Sequence, residues 1–153
     1  MTRRGSIVYY LTAVVCGSFF LALSYFVYFR AVGSDSRQWG RDFLFLYFFA
    51  LLFASLPLLL AAWLLRRAVV KLRGKQGWQW MLAGTAILMA VLWGLGRTGV
   101  ALVDADVPGA MALMPFLAGP MFAVLYPMWV PLPAAAATAA TLFLVHRAFE
   151  PPK

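Results

Sequence analysis

Four stretches of this sequence are too long and too apolar for the core of a water-soluble domain. Residues 7–32 carry one charged side chain, Arg30; residues 43–65 carry none; residues 81–103 carry Arg97; and residues 110–144 carry none. A helix needs about 20 mainly apolar residues to cross about 30 Å of hydrocarbon. Soluble domains are about one quarter charged, whereas this chain of 153 residues is 64% hydrophobic and 12% charged. It has room for four spans, five at most, and little else. The expectation is an all-α integral membrane protein: one domain over residues 1–153, built as a four-helix transmembrane bundle. Its spans cover about 7–32, 43–65, 81–103 and a last one from 120 or 130 to 148.

The break between the second and third runs sets the orientation. Arg66, Arg67, Lys71, Arg73 and Lys75 fall within ten residues there, in a basic loop over 66–80. Cationic loops are retained on the cytoplasmic side of a membrane. With four spans, Arg3, Arg4, Arg147 and Lys153 join that side, opposed by Glu150. On the outer side, in loops 33–42 and 104–119 or 104–129 and at the span ends beside them, Arg30, Arg37, Arg41 and Arg97 balance Asp35, Asp42, Asp104 and Asp106. The whole formal charge of +8 therefore sits on one face, as a topology signal does. This placement points away from nucleic acid and puts both termini in the cytoplasm, while scarce lysine (Lys71, Lys75 and Lys153) beside abundant arginine and alanine suggests a bacterial source and hence an inner membrane. The same five cations are the expected contact for anionic lipid headgroups, at about 1 kcal/mol each near the surface.

Local chemistry fills in the spans. A signal peptide has an apolar region of only about 7–15 residues, so 7–32 reads as a retained span. Its tyrosine pairs, Tyr9 with Tyr10 and Tyr25 with Tyr28, suit the two interfacial belts, and Arg30 can snorkel outward on its stem. Asp42 is placed to cap the second helix, and Pro57 should kink it.

The segment after Asp104 is less regular. Pro115, Pro120, Pro127, Pro131 and Pro133 interrupt 110–144, and one straight helix through all five is physically implausible. Residues 110–126 then either lie at or dip into the outer interface, with Pro131 and Pro133 in the first turn of the last helix, or a single kinked span starts near Pro120. A five-span alternative would leave its inner turn, residues 127–133, without a charge.

Small residues mark where helices should meet. Ala86, Ala90, Gly94 and Thr98 recur every fourth position of the third span, and the last helix is rich in alanine, Ala136 and Ala140 included. Such stripes let backbones approach closely in lipid. Both are expected as helix-packing faces, within the bundle or against another polypeptide. Arg97 stands about 9 Å of helix inside the outer end, with Asp104 two turns further along the same face. The expectation there is an intramembrane ion pair.

Catalytic chemistry has little to work with. Cys16 and His146 are the lone cysteine and histidine, so no disulfide within the chain, no bis-histidine haem and no His–Cys metal spacing can be drawn, and no cofactor is expected. Quinone-linked disulfide exchange needs paired cysteines. Proton-coupled drug export by small four-span proteins needs an acid in the first span, and 7–32 has none. Intramembrane aspartyl proteolysis needs two juxtaposed carboxylates, for which Asp104 and Asp106, two residues apart on a turn, are a weak basis.

The expected function is a small non-catalytic polytopic membrane protein, an accessory or structural subunit of a larger membrane complex. Its partners are then the lipid bilayer and another membrane protein or a second copy. The alternative is a small transporter or lipid- or quinone-binding protein, with a groove made by the kinked and broken helices.

Overall fold

The computed structural model of the chain describes residues 3–33, 39–71 and 77–149. These form five α-helices and no strand: α1 (Arg3–Ala31), α2 (Trp39–Lys71), α3 (Gly77–Asp104), α4 (Ala110–Leu125) and α5 (Pro131–Ala148). Three of them are long and apolar enough to cross a membrane, over Arg4–Ala31, Trp39–Ala68 and Gly77–Asp104. The membrane class read from the sequence therefore stands, with five described helices where a four-helix count was expected.

The helices outrun the apolar runs that announce them. α2 continues through Arg66 and Arg67 to Lys71, because arginine and lysine are good helix formers and a charge ends a span, not a helix. It also begins at Trp39, which puts Asp42 inside its first turn and not at the capping position ahead of it. The helix runs on through Pro57, which is buried.

α1 packs against α2 and α5, α3 against α4 and α5, and α2 also touches α3 and α4. Two ends follow from these contacts. At the histidine end, Tyr9 of α1, Trp80 of α3 and His146 of α5 meet, with the Tyr9 and Trp80 rings 6.4 Å and 6.2 Å from the imidazole. At the opposite, hairpin end, Phe26 of α1 meets Trp39 and Phe43 of α2. Between them runs a core of small and branched residues, including Leu21, Ala54, Leu58, Leu88, Leu92, Ala135 and Ala139.

α4 departs from this pattern. Its 16 residues span about 24 Å, short of the roughly 30 Å of a hydrocarbon core. It follows the turn after α3 and ends where Tyr126 touches Tyr25, Tyr28 and Phe29 of α1. Its other partners are Gly96 and Gly99 of α3 and Phe49 and Phe53 of α2. Every one of these lies on the half of its helix nearer the hairpin end.

Three glycines seat α4. A Cβ on Gly96 would collide with the Pro120 carbonyl oxygen, one on Gly99 would come within 2.7 Å of Met121 Cγ, and one on Gly119 within 2.6 Å of the Phe53 carbonyl oxygen. Pro115 and Pro120 lie inside the helix, and the chain leaves it at Tyr126. That residue precedes Pro127 and is extended, with φ −113° and ψ 159°, the conformation that a following proline imposes. α5 then starts at Pro131 with Pro133 in its first turn, where a missing N–H costs nothing.

Candidate functional site

The basic run is partly described. Arg66 is half-buried, its guanidinium 5.8 Å from the Tyr10 ring, and Arg67 is exposed, 4.1 Å over the ring of Trp63 one turn back. Such stacking holds a cation at an exposed site by about 0.5–1 kcal/mol. Lys71 closes α2, while Arg73 and Lys75 lie outside the described residues. Two adjacent guanidinium groups thus stand at the histidine end, each against an aromatic ring of the bundle wall.

Arg97 and Asp104 are not brought together. Both are exposed, Arg97 lies 5.4 Å from the Trp93 ring centroid, and no ion pair joins the two among the described residues. The spacing explains it. Side chains three or four positions apart are neighbours on a helix, whereas seven positions are about 10.5 Å of axis. Trp93, at i−4, is the nearer partner.

The small-residue stripe of α3 points outward. Ala86, Ala90, Gly94 and Thr98 are all exposed, and nothing lies within 4 Å of a Cβ built on Gly94. The face that α3 buries is Trp80, Gly84, Leu88, Leu92, Gly96 and Gly99, about 200° away, two residues out of register. In α5, Ala136 is exposed and Ala140 half-buried. The buried set there is Ala134, Ala135, Thr138, Ala139 and Leu142, held between α1 and α3.

Few polar groups line the interior, and the threonines bond to their own helices. Thr85, Thr98, Thr138 and Thr141 donate to the carbonyls of Met81, Gly94, Ala134 and Ala137 at 2.7–2.9 Å, the usual i−4 back-bond. A cavity of about 40 Å³ lies among α1, α2, α3 and α4, lined by Leu21, Tyr25, Phe49, Ala54, Leu92 and Phe122 among others. It has room for a water or two. The Tyr25 hydroxyl and Ser18 Oγ are buried and have no hydrogen-bond partner among the described residues.

The sequence reading missed a larger cleft. At the hairpin end, Phe26, Phe29, Arg30, Arg41, Asp42, Phe45 and Leu46 border a space of about 410 Å³. Arg30 is fixed over Trp39, 4.0 Å from its centroid, and 5.7 Å from the Phe26 ring. The available signal was the short connection after α1, which brings the last turn of one helix beside the first turn of the next. Summed with the other outer charges, Arg30, Arg41 and Asp42 vanish into a balance of zero, which conceals it. No family model, characterised protein sequence or solved structure matches the chain.

Proposed function

We propose that this chain is a small non-catalytic subunit of a larger membrane complex, anchored by four crossings and joined to its partner through the outward face of α3. Lipid is then the solvent for α1, α2, α3 and α5. α4 enters from the hairpin end and returns to it, and the basic end of the bundle faces the cytoplasm of a bacterial cell.

One observation carries the docking. Ala86, Ala90, Gly94 and Thr98 form an uncovered strip of small side chains on α3, turned away from the face that the bundle uses. Helices associate in bilayers by close packing at such strips, and lipid chains fill them less completely than a second helix does. The Thr98 hydroxyl already bonds to Gly94, so the strip can be covered without stranding a donor. Transport of a polar solute is less well supported, because Thr85, Thr98, Thr138 and Thr141 bond to their own backbones.

The test is extraction in a mild detergent with a photo-crosslinking residue at Gly94, and at exposed Leu52 of α2 as a comparison. The expected result is a crosslinked species from Gly94 that contains a second polypeptide, a native size well above 17 kDa plus micelle, and loss of both in Gly94→Leu. A crosslink at twice the chain mass assigns the strip to a second copy. A lone monomer with no crosslink at either position contradicts the proposal.

A further inference from the structure

The two halves of α2 are held very differently. Beyond Pro57, Leu58, Ala61, Ala62 and Leu65 are no more than 2% exposed, whereas ahead of it Leu44, Phe45, Phe48 and Leu52 are 53–69% exposed. We propose that residues 39–56 form an arm that pivots at Pro57, and that α4 is the latch that holds it. The device is separate from the α3 strip and does not depend on it.

The hinge follows from covalent structure. Proline has no N–H, so Pro57 takes from the Phe53 carbonyl the donor that a helix normally supplies, and its ring crowds the turn before it. A helix bends where its ladder is interrupted in this way. Past that point α2 is fixed to the bundle: a Cβ on Gly17 of α1 would lie 3.0 Å from both Leu58 methyl carbons, and one on Gly84 of α3 would lie 3.3 Å from Leu65 Cδ2. Ahead of it, the arm meets α1 through aromatic side chains, Phe43 against Phe19 and Phe26, which can turn as the arm moves.

The latch is a backbone contact at the oxygen that Pro57 leaves. A Cβ on Gly119 would stand 2.6 Å from the Phe53 carbonyl oxygen and 2.8 Å from its carbon. Glycine carries a hydrogen in that direction instead, and this hydrogen faces the oxygen as a weak Cα–H donor. α4 therefore compensates in part for the bond lost to Pro57, and does so while the arm lies against it. Room for movement lies alongside. The cavity of about 40 Å³ takes its α2 lining, Leu46, Phe49, Ala50 and Ala54, from the arm alone, and Gly119 and Ala123 of α4 face it. A close-packed interface resists such a motion; this void lets the arm shift without first displacing a neighbour.

The experiment is a spin-label distance measurement on the full chain in nanodiscs, in a Cys16→Ala background. Labels at Leu44→Cys on the arm and Leu132→Cys on α5 read the arm, and labels at Leu60→Cys and Leu144→Cys read the fixed half; all four positions are exposed. Leu44 stands about 20 Å of helix from the hinge, so a swing of about 10° moves it by about 3 Å. With Gly119 in place the 44–132 pair should give one narrow distance. Gly119→Ala, whose methyl cannot fit against the Phe53 carbonyl, should shift or split that distance by about 3 Å or more. It should leave the 60–144 distance in place, which also shows that the variant folds. In Pro57→Ala, which restores the missing donor and stiffens the helix, adding Gly119→Ala should leave the 44–132 distance unchanged. A broad 44–132 distribution with Gly119 intact shows an arm that nothing holds, and overturns the latch without any variant of α4. An unmoved arm in Gly119→Ala, or the same shift with and without Pro57, overturns the hinge.

Discussion

Replacing Gly96 by alanine tests the seat of α4 directly, with Gly94→Ala as its control. A methyl on Gly96 would meet the Pro120 carbonyl oxygen, with Val124 Cγ2 at 2.6 Å and the Pro120 carbonyl carbon at 2.9 Å. Carbon contacts settle at about 3.5–4.0 Å, so α4 has to retreat by roughly 1 Å. A carbonyl inside a helix cannot rotate aside as a side chain can. Overpacking of this kind costs about 1–3 kcal/mol, partly offset by the gain of about 1 kcal/mol for alanine over glycine in a helix. At Gly94 nothing stands within 4 Å of the new methyl, leaving the gain alone. Because the propensity gain is shared, the difference between the two variants isolates the steric term, about 1–3 kcal/mol. Unfolding of the reconstituted protein by sodium dodecyl sulfate, followed by tryptophan fluorescence and circular dichroism, measures that difference. Gly96→Ala should unfold at the lower detergent fraction. Coincident transitions for the two variants would refute the packing of α4 on α3.

Substitutions at two more positions probe the ends of the bundle. The Tyr9 hydroxyl donates to the Ala62 carbonyl at 3.4 Å, longer than a strong hydrogen bond, so Tyr9→Phe should cost less than about 1 kcal/mol. Tyr9→Ala, which empties a fully buried site, should cost about 3–5 kcal/mol; the same detergent titration separates them, and equal losses would contradict the packing role. Arg97 is exposed over Trp93, so Arg97→Ala should change stability by no more than about 1 kcal/mol. A loss several times larger would mean that Arg97 anchors a charged network.

What the sequence disclosed, and what it concealed, follows from the solvent. Length and apolarity announced α1, α2 and α3, because crossing hydrocarbon demands both. The outward or inward sense of a face was not legible, because lipid and protein interior are equally apolar. The spacing of small residues on α3 therefore pointed to Ala86, Ala90, Gly94 and Thr98 as the packing face, but that stripe turns outward, and Gly84, Leu88, Leu92 and Gly96 turn inward. Prolines were informative where they sit at a boundary, as Pro127 and Pro131 do. They misled inside α4, where Pro115 and Pro120 are accommodated in a helix. The cleft at the hairpin end depends on two helix ends meeting in space, and the short connection after α1 is the one trace of that meeting in the sequence.

The proposed four crossings require α4 to turn back to the side from which it came. Labelling with an impermeant thiol reagent in a Cys16→Ala background, using Gly109→Cys, Met128→Cys and Gln76→Cys in turn, tests it. The prediction is that the cysteines at 109 and 128, on either side of α4, react from one face of the membrane and the cysteine at 76 from the other. Reaction of positions 128 and 76 from the same face, with 109 opposite, would make α4 a crossing and contradict the account.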